Sequence, residues 1–141
     1  MLTLNERRHF PCSPQRVFDV VADVERYPTF LPGVLSAKVT TVRPFCFQAD
    51  LLMGYKIFRE PYRCLVHLTP YESITVDYLE GPFESLKNTW HFQETKDGVE
   101  VAFLLAFAFR SSLLQGLASS FSAQIGQKMI AAFEGRVFRR G

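Results

Sequence analysis

From Val34 to Phe109 the chain repeats one local pattern six times: a short run of alternating apolar and polar residues, closed by turn-forming residues. The runs are Ala37 to Val42, Phe45 to Met53, Ile57 to Leu68, Ser73 to Leu79, Ser85 to Gln93 and Val99 to Phe109. Breaks fall at Arg43-Pro44, Gly54-Tyr55, Pro70-Tyr71, Gly81-Pro82 and Lys96-Asp97-Gly98. Period two is the side-chain period of a strand with one buried face. Connections this short join antiparallel neighbours, so the six strands form a meander.

The flanking segments complete the architecture. Leu2 to Phe10 alternates more loosely and reads as a further strand, ended by Pro11, which makes seven. In "SPQRVFDVVADV", Ser13 is placed to cap a helix that has Pro14 at its first position and an apolar stripe of Val17, Phe18, Val20 and Val21. Pro28 stops that helix and disfavours helical backbone at Tyr27, leaving Tyr27 to Leu31 for a second short turn. After Phe109 the period changes: Leu114, Leu117, Ala118, Phe121, Ile125, Met129, Phe133 and Val137 recur at three and four residues, one long helix starting near Ser111 or Ser112. Its stripe must be buried on the sheet. The expected fold is α+β: a seven-stranded curved antiparallel sheet wrapped on a long C-terminal helix, with two short helices after strand 1, in one domain over residues 1–141.

Composition narrows the function classes. A formal charge of +2 is too small to argue for nucleic-acid binding, although Arg136, Arg139 and Arg140 make a local basic end. Cys12, Cys46 and Cys64 are odd in number and lack a C-x-x-C pair, which predicts neither a disulfide framework nor a zinc site and fits a reducing compartment. "MLTLNERRHFPC" lacks the features of a secretory leader, and no apolar run reaches the roughly 18 residues of a spanning helix. Glycine-loop, G-x-S-x-G and H-E-x-x-H signatures are absent, and His9, His67 and His91 fall on different expected strands, so no catalytic or metal residue is assigned. Asp19, Asp23 and Glu25 suit capping and solvation at the first helix.

The unusual feature is apolar excess, with 14 phenylalanines against one tryptophan. In "VEVAFLLAFAFR" the odd positions Val99, Val101, Phe103, Leu105, Phe107 and Phe109 form one apolar face, and Ala102, Leu104, Ala106 and Ala108 form another. Either the odd face is thick core and the even face is covered by a helix or a second subunit, or part of the odd face lines a hollow beneath the long helix. "EGPFESLKNTWHF" puts Leu86, Asn88, Trp90 and Phe92 on one face. Asn88 there is either a wetted edge position or an anchor for a carbonyl or hydroxyl, and Trp90 adds an indole donor. The hairpin "LLMGYKIFR" carries Leu52, Met53, Tyr55, Ile57 and Phe58 beside Lys56 and Arg59, a mix that suits lipid headgroups or an ordinary strand pair. Gly116, Gly126 and Gly135 weaken the long helix and predict tight packing there.

Four stretches, "FDVVADVERYPTFLP", "EGPFESLKNTWHF", "VAFLLAFAFRSSLL" and "KMIAAFEGR", together resemble the coenzyme Q-binding START-domain proteins of the polyketide cyclase/START-like, or helix-grip, superfamily. The resemblance runs from about Thr3 to Arg139. It implies an internal hydrophobic cavity, ubiquinone or a similar isoprenoid lipid as bound ligand, no cofactor and no catalysis, with a role in respiration and quinone biosynthesis. Bacterial relatives in this group are ribosome-association toxins, which makes the large ribosomal subunit a second candidate partner, and polyketide cyclases supply a third reading. Where many members carry Trp-Cys after the proline, this chain has Gly33-Val34.

On the resemblance, Tyr27, Phe30, Leu31 and Pro32 form a stiff apolar lid at the cavity entrance. Phe103, Leu105, Phe107, Phe121, Ile125 and Met129 wall the cavity, with Asn88, Trp90 or Tyr78 meeting ring oxygens. The expected location is the bacterial cytoplasm with peripheral contact to the inner face of the membrane, and the even face of the last strand leaves room for a dimer.

Overall fold

The computed structural model describes residues 1–55 and 57–139, the side chains of 121–123 and 139 excepted. Seven strands form one antiparallel sheet: β1 (Leu2–Phe10), β2 (Val34–Arg43), β3 (Cys46–Tyr55), β4 (Phe58–Thr69), β5 (Ser73–Glu80), β6 (Phe83–Thr95) and β7 (Gly98–Phe109). The spatial order is β1-β7-β6-β5-β4-β3-β2, a meander whose last strand returns to pair with the first. Helix α1 (Pro14–Ala22) and a 3-10 turn (Val24–Thr29) lie between β1 and β2, and α2 (Ser112–Arg139) closes the chain. This is the expected helix-grip arrangement, and the strands differ from the expected runs only at their ends.

Local chemistry explains the joints. The Ser13 hydroxyl accepts from the Arg16 amide at 3.2 Å, capping α1 with Pro14 in its first turn. Pro28 is accommodated inside the 3-10 turn. Gly98 is forced: its φ is +152°, and a Cβ there would sit 2.1 Å from the Phe10 carbonyl oxygen. The other joint is the start of α2, where the Ser111 hydroxyl accepts from the Leu114 amide at 3.3 Å and Gln115 Oε1 accepts from the Phe109 amide at 2.7 Å. That second bond ties the helix to the end of β7.

Helix α2 is held at both ends and bridges in between. At its C-terminal half Ile130, Phe133 and Val137 are fully buried, Arg8 of β1 pairs with Glu134 at 2.8 Å, and Arg16 of α1 donates to the Val137 carbonyl at 3.1 Å. At its N-terminal half Leu114, Leu117 and Ala118 are only partly buried and Leu113 is 61% exposed. The helical glycines differ from expectation here. Nothing lies within 4 Å of a Cβ built at Gly116, and one at Gly126 would meet only ordinary contacts at 3.6 Å or more, so close packing requires neither.

The even face of β7 also departs from the covering-helix expectation, because α2 takes the odd face instead. Ala102, Leu104 and Ala106 register with Arg7, Asn5 and Thr3 on one side and with His91, Thr89 and Lys87 on the other. Polar neighbours flank these small residues, Arg7 and His91 beside Ala102 and Thr3 and Lys87 beside Ala106, and their stems cover Ala102 in part and Ala106 almost fully.

Candidate ligand cavity

The sheet curves and α2 spans it, so the concave face is filled at one end and hollow at the other. The filled end is aromatic: the Phe133 ring lies 4.9 Å from Trp90 and 5.4 Å from both Tyr27 and Phe30, while Phe18 meets Phe92 at 5.6 Å. Toward the start of α2 the side chains no longer meet, and a partly open cavity of about 530 Å³ remains. Its volume lies within the range of small-molecule sites. Its floor is built by inward positions of β3 to β7 and its roof by Leu114, Leu117, Ala118, Ile125 and Met129 of α2.

Most of the residues singled out in the sequence meet in this cavity. Tyr27, Leu31, Pro32, Asn88, Trp90, Phe103, Leu105, Phe107, Ile125 and Met129 all line it. Phe30 does not: its ring turns away to pack on Tyr27 and Phe133, with the Arg136 guanidinium 5.8 Å from its centre. Tyr78 is also off the wall, because the Phe83 ring stacks edge-on across it at 5.5 Å and its hydroxyl accepts the Phe83 amide at 3.0 Å. Phe121 falls among the side chains outside the described set. So do Lys56, Arg139 and Arg140, apart from the Arg139 backbone.

The segment Tyr27 to Pro32 therefore divides its work. The Tyr27 hydroxyl donates to the Val21 carbonyl, pinning the turn to α1, and Phe30 wedges it against α2. Leu31 and Pro32 face the cavity, and Gly33, at φ +88°, turns the chain into β2 while its carbonyl accepts from the Gly54 amide at 2.9 Å. The entrance segment is thus braced on both sides by the core.

The cavity wall is largely apolar, with a few polar groups. Asn88 donates from Nδ2 to the Leu104 carbonyl at 2.8 Å, which leaves its Oδ1 as an acceptor. Sequence reasoning missed four polar liners: Glu60 and Tyr62 on β4, and Gln124 and Lys128 on α2. The β4 pair had a legible signal, since "FREPYRC" alternates so that Phe58, Glu60, Tyr62 and Cys64 share a face. Burial pushes the phenols of Tyr27 and Tyr62 well above their ordinary range, with mutual repulsion adding for Tyr27, and pushes the Cys64 thiol up to about 12. All three stay protonated at neutral pH. They can offer hydrogen bonds but not charge, and Cys64 is not poised as a nucleophile.

The rim is apolar. Ile57 at the β3–β4 tip is 88% exposed, and Leu35 and Tyr55 are exposed close by. Among the described residues no helix is long and apolar enough to cross a membrane, and no group of three or more His, Cys, Asp or Glu is placed to hold a metal.

Residues 10–134 match the family model described as polyketide cyclase / dehydrase and lipid transport. The ribosome association toxin RatA of Rickettsia prowazekii is 32% identical over 140 residues, covering 96% of each chain. The mitochondrial coenzyme Q-binding protein COQ10 homolog B of Xenopus laevis is 29% identical over 136 residues, which span 91% of this chain and 56% of that protein. Among solved structures, the 18 kDa protein CC1736 of Caulobacter crescentus superposes with a TM-score of 0.80 at 30% identity, over 99% of this chain and 97% of that one. The Zhui aromatase/cyclase from Streptomyces sp. R1128 reaches 0.84 at 14% identity, over 98% and 94% of the two chains, a likeness of fold alone.

Proposed function

The chain belongs to the polyketide cyclase/dehydrase and lipid-transport family, and on that premise we propose that its cavity holds ubiquinone or a similar isoprenoid lipid without catalysing a reaction on it. One observation carries this reading: an apolar hollow of about 530 Å³ lies between sheet and helix, lined by Trp90, Phe103, Leu105 and Phe107 on one side and Ile125 and Met129 on the other. Removing a lipid's apolar surface from water at about 25 cal/mol per Å² is a sufficient driving force for such a site, even after association costs are subtracted. The similarity to a protein named for coenzyme Q binding supports the choice of lipid.

In this reading residues 1–141 act as one lipid-binding domain in a bacterial cytoplasm, serving respiratory electron transport and quinone biosynthesis. The exposed apolar tip at Ile57 touches the inner face of the membrane peripherally while ligand passes the adjoining rim. The experiment is mass spectrometry of the organic extract from protein purified from a quinone-producing bacterium. An isoprenoid quinone approaching one per chain is expected. An extract without lipid, from protein that also takes up no quinone from vesicles, contradicts the proposal.

A second reading, association with the large ribosomal subunit, is favoured by the similarity to a protein named for it at 32% identity over nearly the whole chain. It predicts cosedimentation with ribosomes that is abolished by charge reversal at Arg136, Arg139 and Arg140. Cosedimentation that survives the reversal, or none at all, removes that surface from consideration.

A further inference from the structure

Tyr62 is a neutral polar group of the cavity wall whose hydroxyl no protein group answers among the described residues. The tyrosine hydroxyls near it are committed: Tyr27 donates to the Val21 carbonyl and Tyr78 accepts the Phe83 amide. Among the described residues the Tyr62 hydroxyl has no hydrogen-bond partner, and the half-buried side chain lines the cavity. Among the described residues no fully buried side-chain nitrogen or oxygen lacks a partner, so this hydroxyl is open to the cavity, where water or a ligand's polar atom can complete its hydrogen bonding.

The side chain is also fixed in place. Its ring meets Phe83 edge-on at 5.8 Å. The β5–β6 turn presses onto its root, since a Cβ built at Gly81 would lie 2.5 Å from Tyr62 Cβ and 3.0 Å from its Cα. With the root clamped and one ring edge packed, the hydroxyl is held toward the hollow before any ligand arrives. Asn88 contributes a neutral acceptor from β6 to the same cavity.

We propose that Tyr62 is the head-group anchor of this cavity, donating its hydroxyl hydrogen to a ring carbonyl of a neutral quinone-type ligand and holding the ring inward with the apolar tail toward the rim at Pro32, Gly33 and Phe58. This rests on the lipid-binding reading above. The Tyr62 hydroxyl donates to a ring carbonyl of the oxidised ligand, and its own oxygen can accept from the hydroxyl of the reduced ring, so both redox forms are held. It gives no grip on a tail that lacks a polar ring. The cavity therefore selects isoprenoids with an oxygenated ring over apolar rings and plain hydrocarbon chains.

The test is calorimetric titration of the full chain and of Tyr62→Phe with decylubiquinone and with phenyldecane, which has a ring and tail but no ring oxygens. Removing one neutral hydrogen bond should lower decylubiquinone affinity about tenfold while phenyldecane binds unchanged or more tightly. The carbonyl stretch of bound decylubiquinone should lie at lower frequency in the wild type than in Tyr62→Phe, and the melting temperature of the ligand-free variant should not fall. Equal loss for both ligands overturns the anchor in favour of a shape effect, and no loss for decylubiquinone overturns it outright. A wild-type chain that binds neither ligand overturns the lipid-binding reading, and the anchor with it.

Discussion

Replacing Leu105 with tryptophan asks directly whether the concave face is hollow or filled. Leu105 sits in the middle of β7, opposite Leu4 on β1 and Asn88 on β6, and lines the cavity. If space is there, the added ring atoms enter it without displacing a neighbour. Filling roughly 60 Å³ of void at about 24 cal/mol per Å³ stabilises by at most about 1.4 kcal/mol, from which the cost of fixing a larger side chain is subtracted. The available volume, about 530 Å³, is several times what the ring needs. In a close-packed core the same change would cost about 1–3 kcal/mol. The two cases differ in sign, so the urea midpoint decides between them, provided the slope of the transition is unchanged. A variant at least as stable as wild type, with quinone affinity reduced tenfold or more, is expected. A variant less stable by 1 kcal/mol or more would refute the cavity.

Other substitutions test the supports of the site. Phe133→Ala removes the ring shared by Trp90, Tyr27 and Phe30 and should cost about 3–5 kcal/mol in chemical denaturation. Gly98→Ala should destabilise strongly because of the Phe10 carbonyl, whereas Gly116→Ala, with open space around it, should stabilise by about 1 kcal/mol; paired thermal melts distinguish them. Because burial raises the folded-state pKa of Cys64, Tyr62 and Tyr27, the unfolded chain loses these protons first. Stability should hold below about pH 9 and fall as pH rises, by up to about 1.4 kcal/mol per unit for each group, and Cys64→Ala should flatten the fall between 9.0 and about 12. Ile57→Asp should reduce flotation with anionic vesicles while leaving the melting temperature within about 1 °C, since Ile57 is 88% exposed.

The architecture was legible because its signals are local. Period two between short turns fixes antiparallel neighbours, Ser13-Pro14 starts α1, and Pro28 ends it. The faces of β6 and β7 follow from alternation alone, which is why the sequence puts Asn88 and Trp90 on one face of β6 and Phe103, Leu105 and Phe107 on one face of β7. What failed was third-party geometry. Nothing in "YPTFLP" says that Phe30 turns to α2 while Leu31 turns inward, because that depends on where Phe133 lies. Tyr78 shares the parity of the liners, yet Phe83, brought over it by the Gly81-Pro82 turn, shuts it off. Tyr62 was overlooked for the opposite reason, since its alternation was readable but a tyrosine among arginines and a proline gives no hint that its hydroxyl lacks a partner.

Trp90 offers the most direct measurement, because it is the single tryptophan and lines the cavity. Titrating the protein with a short-chain ubiquinone should quench its fluorescence along a saturating curve that ends at one quinone per chain. Quenching that grows in proportion to added quinone without saturating, as it does for free tryptophan in solution, would contradict a ligand seated between the sheet and α2.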